Sequence, residues 1–329
     1  MKLSYSAISS YQTCPLQYRI RYVEGRPALP GPALSFGHSL HEALEWFYSV
    51  PTPDPCSLPD LLDYLDVCWS GEGYDSPEEE AKYFCQAKSA LEIYYRNYAG
   101  DFRIPAALEY KFRIDVGFCE LSGVIDRLDK DPEGGFEIVD YKTNRRLPPA
   151  WRLKEDLQLP IYHIATERIW EVAPEKVTFH YLLMNHRHSL QVTPERARRT
   201  LEVIEEVVRG IEAERFEPRR NNLCPWCDFL GECPHTKGKP PPARRPAAPP
   251  LDIGQAVDEL VTTHEQVANK LSRIEGFKRI VEGYLHERSL ERVGGSRGVA
   301  YMDEDGVLAW GEAPQLEGGL QSTSGPPPT

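Results

Sequence analysis

The sequence predicts an α/β protein in which helices enclose strands, followed by a separate C-terminal helix and a short hairpin. Three observations predict it. Helical and extended patterns both occur along the first 236 residues, turn-forming residues join the extended runs, and the composition changes abruptly after Cys233. A chain that combines helices with strands buries their apolar faces against one another in layers.

The predicted elements follow the order α-α-β-β-β-α-β. Apolar side chains recur at helical spacing in the helices, whereas the strands are short apolar or alternating runs. Residues that favour turns separate the strands. The helices are predicted at about 37–48, 78–98 and 155–170, and the strands at about 107–116, 119–129, 136–142 and 177–183.

Two charged side chains at the end of the third strand predict a metal-dependent site. Asp140 and Lys142 share one face of the strand, because side chains two apart in a strand point the same way. The turn-rich segment 131–135 is typical of a hairpin connection, which would place Asp126 roughly across the ladder from Asp140. Carboxylates hold Mg²⁺, and a lysine beside them can polarise a water or a phosphate oxygen. The alternative is a solvated strand face of alternating charges.

The order Gly-x-x-Asp, a Gly-rich turn and then apolar-apolar-Asp-x-Lys resembles the PD-(D/E)xK nuclease superfamily, and within it the RecB-like branch. The resemblance covers residues 1–236. It implies a restriction-endonuclease-like core of order αβββαβ, with a mixed central sheet flanked by helices and with added helices around it. It also implies that Asp126 and Asp140 are metal ligands and that Lys142 is the catalytic lysine.

Further positions match this family. RecB-like nucleases carry a metal-binding histidine on the helix where His41 lies, although a helical histidine alone is more often a hydrogen-bonded core residue. Gln158 and Tyr162, four apart on one helical face, match a Gln-x-x-x-Tyr element that supports the active site; alone they would be an ordinary amphipathic pair. Glu109 matches an acidic position of the family, with an exposed strand glutamate as the alternative. The resemblance further implies that the Tyr141 carbonyl helps to hold one or two Mg²⁺ or Mn²⁺ ions.

Four of the eight cysteines predict a bound metal centre. Cys224, Cys227 and Cys233 supply three thiolates of a four-coordinate site, and Cys14 is the natural fourth. Iron–sulfur members of the RecB-like group have one cysteine, followed by proline, before the nuclease core and three after it. The resemblance therefore implies a structural [4Fe–4S] cluster. Spacing alone leaves Zn²⁺ open, and His235 keeps a zinc or mixed-ligand site as the alternative.

The charge distribution bears on nucleic-acid binding. A formal net charge of -12 argues against binding duplex DNA through a bulk positive field. A basic run nevertheless follows the predicted catalytic strand, with the aromatic residues Tyr141 and Trp151 in or beside it. This composition suits a single-stranded backbone with stacking bases, and a solvated charged surface is the alternative. The run contains Lys142, Arg145, Arg146, Arg152 and Lys154.

Beyond residue 236 the sequence predicts three segments. Residues 237–250 form a Pro-rich basic linker, residues 251–311 hold a long helix at about 252–290 and a short β-hairpin, and residues 312–329 form a disordered tail. The apolar stripe of the helix could dock on the nuclease body, form a coiled coil or bind a helicase. We rank docking first because the stripe does not hold a clean heptad.

Together these patterns predict a Mg²⁺- or Mn²⁺-dependent deoxyribonuclease, an exonuclease on single-stranded or end-bearing DNA in repair or recombination. The expected partners are DNA and a helicase or another repair protein. One alternative is a CRISPR adaptation nuclease, against which the C-terminal extension counts. The other is a non-catalytic Fe–S or zinc DNA-binding subunit of a helicase complex, against which the complete set of site residues counts. No apolar segment resembles a signal peptide or a membrane span, so we expect a cytoplasmic protein without a membrane partner.

Overall fold

The computed structural model describes residues 1–26, 31–49, 52–131, 134–236, 248–295, 298–303 and 306–312. The chain divides into two compact units, Met1–Asp252 and Ile253–Thr329. A mixed sheet lies at the centre of the first unit, and helices pack on both of its faces. This architecture confirms the predicted fold class.

The central sheet contains the strands β1 Lys2–Ser4, β2 Ala107–Asp115, β3 Glu120–Lys130, β4 Phe136–Lys142, β5 Lys176–Tyr181 and β6 His186–Leu190. β3 pairs in parallel with β1 and antiparallel with both β2 and β4. β5 lies parallel to β4, and β6 closes the sheet antiparallel to β5. The sequence did not predict β1 or β6, because strands of three and five residues show too little alternation to be recognised.

β3 carries two strands on one of its edges, and they leave a space between them. β2 occupies the other edge from Glu120 to Leu128. On the edge away from β2, β1 pairs with residues 120–122 and β4 with residues 127–130. Residues 123–126 of that edge therefore face no strand among the described residues. We call this unpaired stretch the β3 gap, and Asp126 lies at its end, where β3 and β4 separate.

The helices of the first unit are α1 Tyr5–Thr13, α2 Pro15–Tyr18, α3 Pro32–Tyr48, α4 Leu58–Cys68, α5 Pro77–Tyr98, α6 Ala150–Glu155, α7 Gln158–Trp170 and α8 Pro194–Glu212. α1, α7 and α8 cover one face of the sheet, and α3, α4 and α5 cover the other. Along β4, Ile138 belongs to the first cluster and Val139 to the second. Because side chains alternate along a strand, Asp140 faces α7.

Capping side chains mark the start of several helices. Ser57 and Asp60 form a reciprocal capping box at α4, and Ser76 accepts from the backbone N–H of Glu79 at α5. The helix predicted at about 155–170 corresponds to α7, and the sequence did not predict the short helix α6 before it. Asp156 takes an extended conformation between them, and its carboxylate accepts from the backbone N–H of Gln158, which begins α7.

The second unit consists of α9 Ile253–Arg288 and a sheet of β7 Arg292–Gly294, β8 Gly298–Met302 and β9 Leu308–Glu312, in the order β7-β8-β9. The predicted hairpin thus gains a third strand, and Glu312 ends a strand although it was assigned to the tail. The rest of the tail, 313–329, and linker residues 237–247 lie outside the described residues. Within the part of the chain that the structure describes, no helix combines the length and the apolar character needed to cross a membrane.

Candidate active site

The side chain of Asp126 closes the end of the β3 gap. It is 8% exposed, and its Oδ2 accepts a hydrogen bond of 2.8 Å from the backbone N–H of Tyr141. If β3 and β4 stayed paired, the Tyr141 N–H would donate to a backbone carbonyl of β3. Here it donates to the Asp126 carboxylate instead. Burial raises the pKa of Asp126 to about 6, although the Tyr141 N–H and the Lys142 ammonium oppose that shift.

Asp140 and Lys142 lie on the same face of β4, and Gln158 of α7 joins them. Lys142 Nζ lies 2.6 Å from Asp140 Oδ2 and donates to Gln158 Oε1 at 2.7 Å. Gln158 Nε2 donates to Asp140 Oδ1 at 2.7 Å and to the Tyr162 hydroxyl at 2.9 Å. Burial raises the pKa of Asp140 to about 7, against the effect of Lys142. One amide side chain thus fixes both charged groups.

His41, Glu109 and Asp126 bring three metal-binding side chains together. One ligand atom from each lies within 4.8 Å of the other two. A divalent cation reaches its ligands at about 2.0–2.6 Å, so one ion can contact all three. His41 Nε2 lies 3.1 Å from the carbonyl oxygen of Tyr141, and Nδ1 lies 3.5 Å from Asp126 Oδ2. Burial lowers the pKa of His41, which favours the neutral imidazole that binds metals.

Glu109 reaches this group through an unusual backbone conformation. It lies opposite Asp126 in the β2–β3 ladder, between two paired positions. Its φ is 41°, in the left-handed region that costs a residue other than glycine about 1–2 kcal/mol. Burial raises the pKa of Glu109 to about 7, and the carboxylates of Asp126 and Glu45 add to the effect. Facing carboxylates repel each other, and a cation between them relieves the repulsion, so these residues fit a divalent ion.

A cleft of about 770 Å³ opens beside these side chains. His41 and Glu109 line it together with other polar residues of α3, including Glu42 and Glu45. A Cβ added to Gly37 would lie 3.3 Å from Thr143 Oγ1. Glycine at this position therefore lets α3, which carries His41, approach the segment that follows β4.

The ring of Tyr141 anchors β4 on the sheet face opposite Asp140. It is 4% exposed, and its hydroxyl accepts from Arg127 Nη1 at 2.7 Å and lies 3.0 Å from the hydroxyl of Tyr94. The Arg127 guanidinium also lies 4.4 Å from the centre of the Tyr48 ring. Tyr141 is thus unavailable for base stacking, which corrects that part of the prediction. No sequence pattern marked Arg127 as a support of the site.

Asp156 is a second support that was not predicted from the sequence. Its Oδ1 accepts from the Gln158 backbone N–H at 2.8 Å, and its Oδ2 accepts from the Tyr5 hydroxyl at 2.9 Å. These bonds fix the start of α7 and hence the amide of Gln158. Asp156 lies two residues before the first residue of α7, and aspartate commonly accepts from the backbone N–H two residues on. This local signal could have identified it.

The predicted cysteine ligands line one cavity of about 580 Å³, although Cys14 lies 210 residues before the others begin. Backbone N–H groups point at two of the sulfur atoms: Arg219 donates to Cys14 Sγ at 3.4 Å, and Asn221 donates to Cys224 Sγ at 3.3 Å.

The segment that follows β4 presents an exposed indole among cations. Trp151 of α6 is 62% exposed, whereas its neighbour Leu153 is buried and anchors the helix. Leu153 belongs to the same buried cluster as Leu159 of α7, and Asp156, which directly follows α6, accepts from the backbone N–H of Gln158. α6 therefore lies beside the helix that carries Gln158. The exposed cations of the segment are Arg145, Arg146, Arg152 and Lys154.

Known proteins resemble this chain over most of its length. The Gene 69 protein of Mycobacterium phage D29 is 24% identical over 266 residues, which covers 70% of this chain and 96% of the phage protein. A crystal structure named "Putative exonuclease", from Eubacterium rectale, is 13% identical with a TM-score of 0.44 and covers 77% of this chain and 91% of that chain. The crystal structure of SSO0001 is 15% identical with a TM-score of 0.36, covering 71% and 86%.

The sequence profile of the PD-(D/E)XK nuclease superfamily matches residues 2–234. The match spans the central sheet, the β3 gap and all four cysteines of the cavity, and it ends before the second unit. The fold and the charged side chains at the β3 gap agree with this match. The chain therefore belongs to the PD-(D/E)XK nuclease superfamily.

Proposed function

We propose that this protein is a Mg²⁺- or Mn²⁺-dependent deoxyribonuclease of the RecB-like branch, acting on single-stranded DNA or free ends in repair or recombination. One observation carries the proposal. Asp126, Asp140 and Lys142 of the adjacent strands β3 and β4 converge with His41 of α3, which lies about 80 to 100 residues earlier in the chain. A DNA-binding module without catalysis has no need of this arrangement.

His41, Glu109 and Asp126 would hold the first ion, and Asp140 lies beside them. Asp140 Oδ2 lies 2.6 Å from the Lys142 ammonium and has no other partner among the described residues. An ion that binds this oxygen would share it with Lys142. The Tyr141 carbonyl would complete the set, since His41 Nε2 already lies within 3.1 Å of it.

Hydrolysis forms a bond between a water oxygen and phosphorus and breaks the bond from phosphorus to a sugar oxygen. A divalent ion held by His41, Glu109 and Asp126 would supply positive charge that stabilises the phosphate as negative charge builds on it. Lys142 orients the attacking water or a phosphate oxygen, because Asp140 and Gln158 hold its amine in one position. Tyr162 and Asp156 fix Gln158 in turn, so the amine is positioned before substrate arrives.

The cysteine cavity would hold a structural [4Fe–4S] cluster. Its thiolates are the ligands that such clusters require, and backbone N–H groups point at two of them. The family resemblance, rather than the spacing of the cysteines, favours a cluster over a single Zn²⁺ ion. The cluster would tie the start of the first unit to residues 224–233 and take no part in hydrolysis.

Single-stranded DNA is the proposed substrate because of α6. Trp151 offers an exposed ring on which a base can stack, and Arg146, Arg152 and Lys154 can contact the backbone phosphates. These residues follow the strand that carries Asp140 and Lys142, so a bound strand would lead towards the site. This local basic surface is compatible with a net charge of -12.

Cleavage of labelled DNA by purified variants tests the proposal. Asp126→Asn, Asp140→Asn and Lys142→Met should each reduce Mn²⁺-dependent cleavage by about 10²-fold or more, since each removes a ligand or a positioned proton donor. Glu212→Gln, at the exposed end of α8, is the matched control and should cleave like the parent. Circular dichroism checks that the variants fold.

Full activity in the three site variants would remove the assignment. Digestion of linear and circular single-stranded DNA in parallel distinguishes exonuclease from endonuclease activity. An exonuclease degrades only the linear form, so cleavage of the circle would contradict the need for an end.

A further inference from the structure

Helix α9 carries an apolar stripe that lacks a partner within its own unit over most of its length. The helix has 36 residues, and Leu285 is the buried one among its described side chains. Nearer its start, Ile253 is 76% exposed, Leu260 70% and Leu271 56%. Contiguous exposed apolar surface of this extent is typical of an interaction site.

In the C-terminal third of the helix, one face packs on the small sheet. Leu285 is 2% exposed, and Val281 shares a hollow with Val293 and Trp310 of the small sheet. Lys278 Nζ lies 5.1 Å from the centre of the Trp310 ring. The stripe therefore packs on β7–β9 from Lys278 onwards, and the part before Lys278 is the part that needs a partner.

Over that free part the apolar residues follow a heptad. Six of seven consecutive core positions are apolar, and His264 is the polar one. Val261, Phe277 and Ile280 lie off these positions and hide the repeat when the stripe is considered as a whole. A seven-residue repeat with apolar a and d positions is the pattern of a coiled coil. We call these positions the α9 seam: Ile253, Leu260, Val267 and Ile274 at d, and Val257, His264 and Leu271 at a.

The flanking positions favour a second copy of the same chain in parallel orientation. In a parallel pair each g residue faces the e residue five positions later on the other helix. The g–e pairs along the α9 seam join no like charges, and one of them, Lys270 with Glu275, joins opposite charges. Glu275 is also bonded to Lys278 of its own helix at 2.7 Å, so its carboxylate is held near the seam.

We propose that α9 forms a parallel two-stranded coiled coil with a second copy of this chain through the α9 seam. His264 would face its counterpart at a, where a single polar residue selects register and strand number. Two nuclease units would then be tethered by their C-terminal segments, which raises the local concentration of the second active site around DNA bound at the first. The proposal is independent of which nucleic acid is cleaved.

Sedimentation of the full chain tests it. The parent should have twice the 37.4 kDa chain mass, and the double variant Leu260→Glu with Leu271→Glu should have the mass of one chain. The matched control is Thr262→Glu with Asn269→Glu, which places the same charges on the outer face of the same helix and should remain dimeric. The substituted side chains are exposed, so folding should be unaffected.

A charge reversal tests orientation and partner together. Lys270→Glu should weaken the dimer by facing Glu275 of the second copy, and adding Glu275→Lys should restore it. A monomeric parent would overturn the proposal in favour of docking within the chain or on another protein. A trimer or tetramer, or a dimer that survives both seam substitutions, would overturn it equally.

Discussion

At the scale of single residues, burial decides the charge of the site. The pKa of Asp126 rises to about 6 and those of Asp140 and Glu109 to about 7, in each case first because burial disfavours the negative charge. Lys142 is the cation in contact with Asp140. Without a bound ion, the folded protein therefore holds protons at this site that the unfolded chain releases.

The metal-free protein should consequently lose stability as pH rises. A carboxyl whose pKa is raised by folding stabilises fully below its unfolded value near pH 4, and that contribution is lost as the pH rises through about 6–7. Glu109→Gln, which mimics the protonated form, should raise the melting temperature at pH 8 and change it little at pH 4. Thermal unfolding in a chelator at both values measures the effect. An equal shift at both pH values would contradict this account of Glu109.

Trp151 carries the second residue-scale prediction. Stacking of one base on an aromatic ring is worth about 1–3 kcal/mol, so Trp151→Ala should weaken binding of single-stranded DNA by about 5- to 150-fold. Trp151→Phe should retain most of the affinity, because a ring remains. The affinity is measured by the fluorescence anisotropy of labelled DNA in the presence of a chelator, which prevents metal-dependent cleavage. The control is Trp310→Ala, because Trp310 of the second unit is similarly exposed. Equal affinity of Trp151→Ala and the parent would rule out stacking there.

At the scale of elements, the separation of β3 and β4 creates the site. β1 and β4 share one edge of β3 without meeting, so a carboxylate instead of a carbonyl meets the N–H of Tyr141. α7 then covers the same face and brings Gln158 to Asp140. The site depends on how closely these elements pack, which makes small residues in the β3 gap important.

Gly123 is the residue that tests this packing. A Cβ added there would lie 2.7 Å from Phe112 and 3.4 Å from Tyr162, whose hydroxyl holds Gln158. Gly123→Ala should cost about 1–3 kcal/mol of unfolding free energy through overpacking, and should lower cleavage as well. Gly100→Ala, where a Cβ meets nothing within 4 Å, is the control. Urea unfolding measures both, and unchanged stability of Gly123→Ala would show that Phe112 moves freely.

At the scale of the whole molecule, the cysteine cavity joins the two ends of the first unit. Cys14 lies before most strands of the central sheet, and Cys224 lies after them. The two cysteines are 210 residues apart in the chain. A cross-link that closes so long a loop stabilises by up to about 5 kcal/mol, chiefly by restricting the unfolded chain. Arg21–Asp228 and Arg26–Glu232 ion pairs hold the same segments, but as partly exposed pairs they contribute little.

Cys14→Ser should therefore lower the melting temperature and abolish the visible absorbance of anaerobically purified protein. Cys56→Ser, outside the cavity, should change neither. Metal analysis accompanies the spectra. Iron with an equal amount of acid-labile sulfide is expected, and zinc without iron would overturn the cluster while leaving the four-thiolate tie in place.

Local periodicity in the sequence was enough to predict the order of the main elements and the face shared by Asp140 and Lys142. The sequence also indicated the thiolate set, since Cys-x-x-Cys spacing is a local signal. The sequence could not show that Glu109 lies opposite Asp126 or that Asp156 holds the start of α7. It also wrongly suggested that the Tyr141 ring is available for base stacking. Side-chain contacts between elements leave no local pattern in the sequence. These features depend on the tertiary structure, as does the part of α9 that packs on the small sheet. Burial sets the charge of each carboxylate, and contacts between distant segments set which surface of each helix stays exposed.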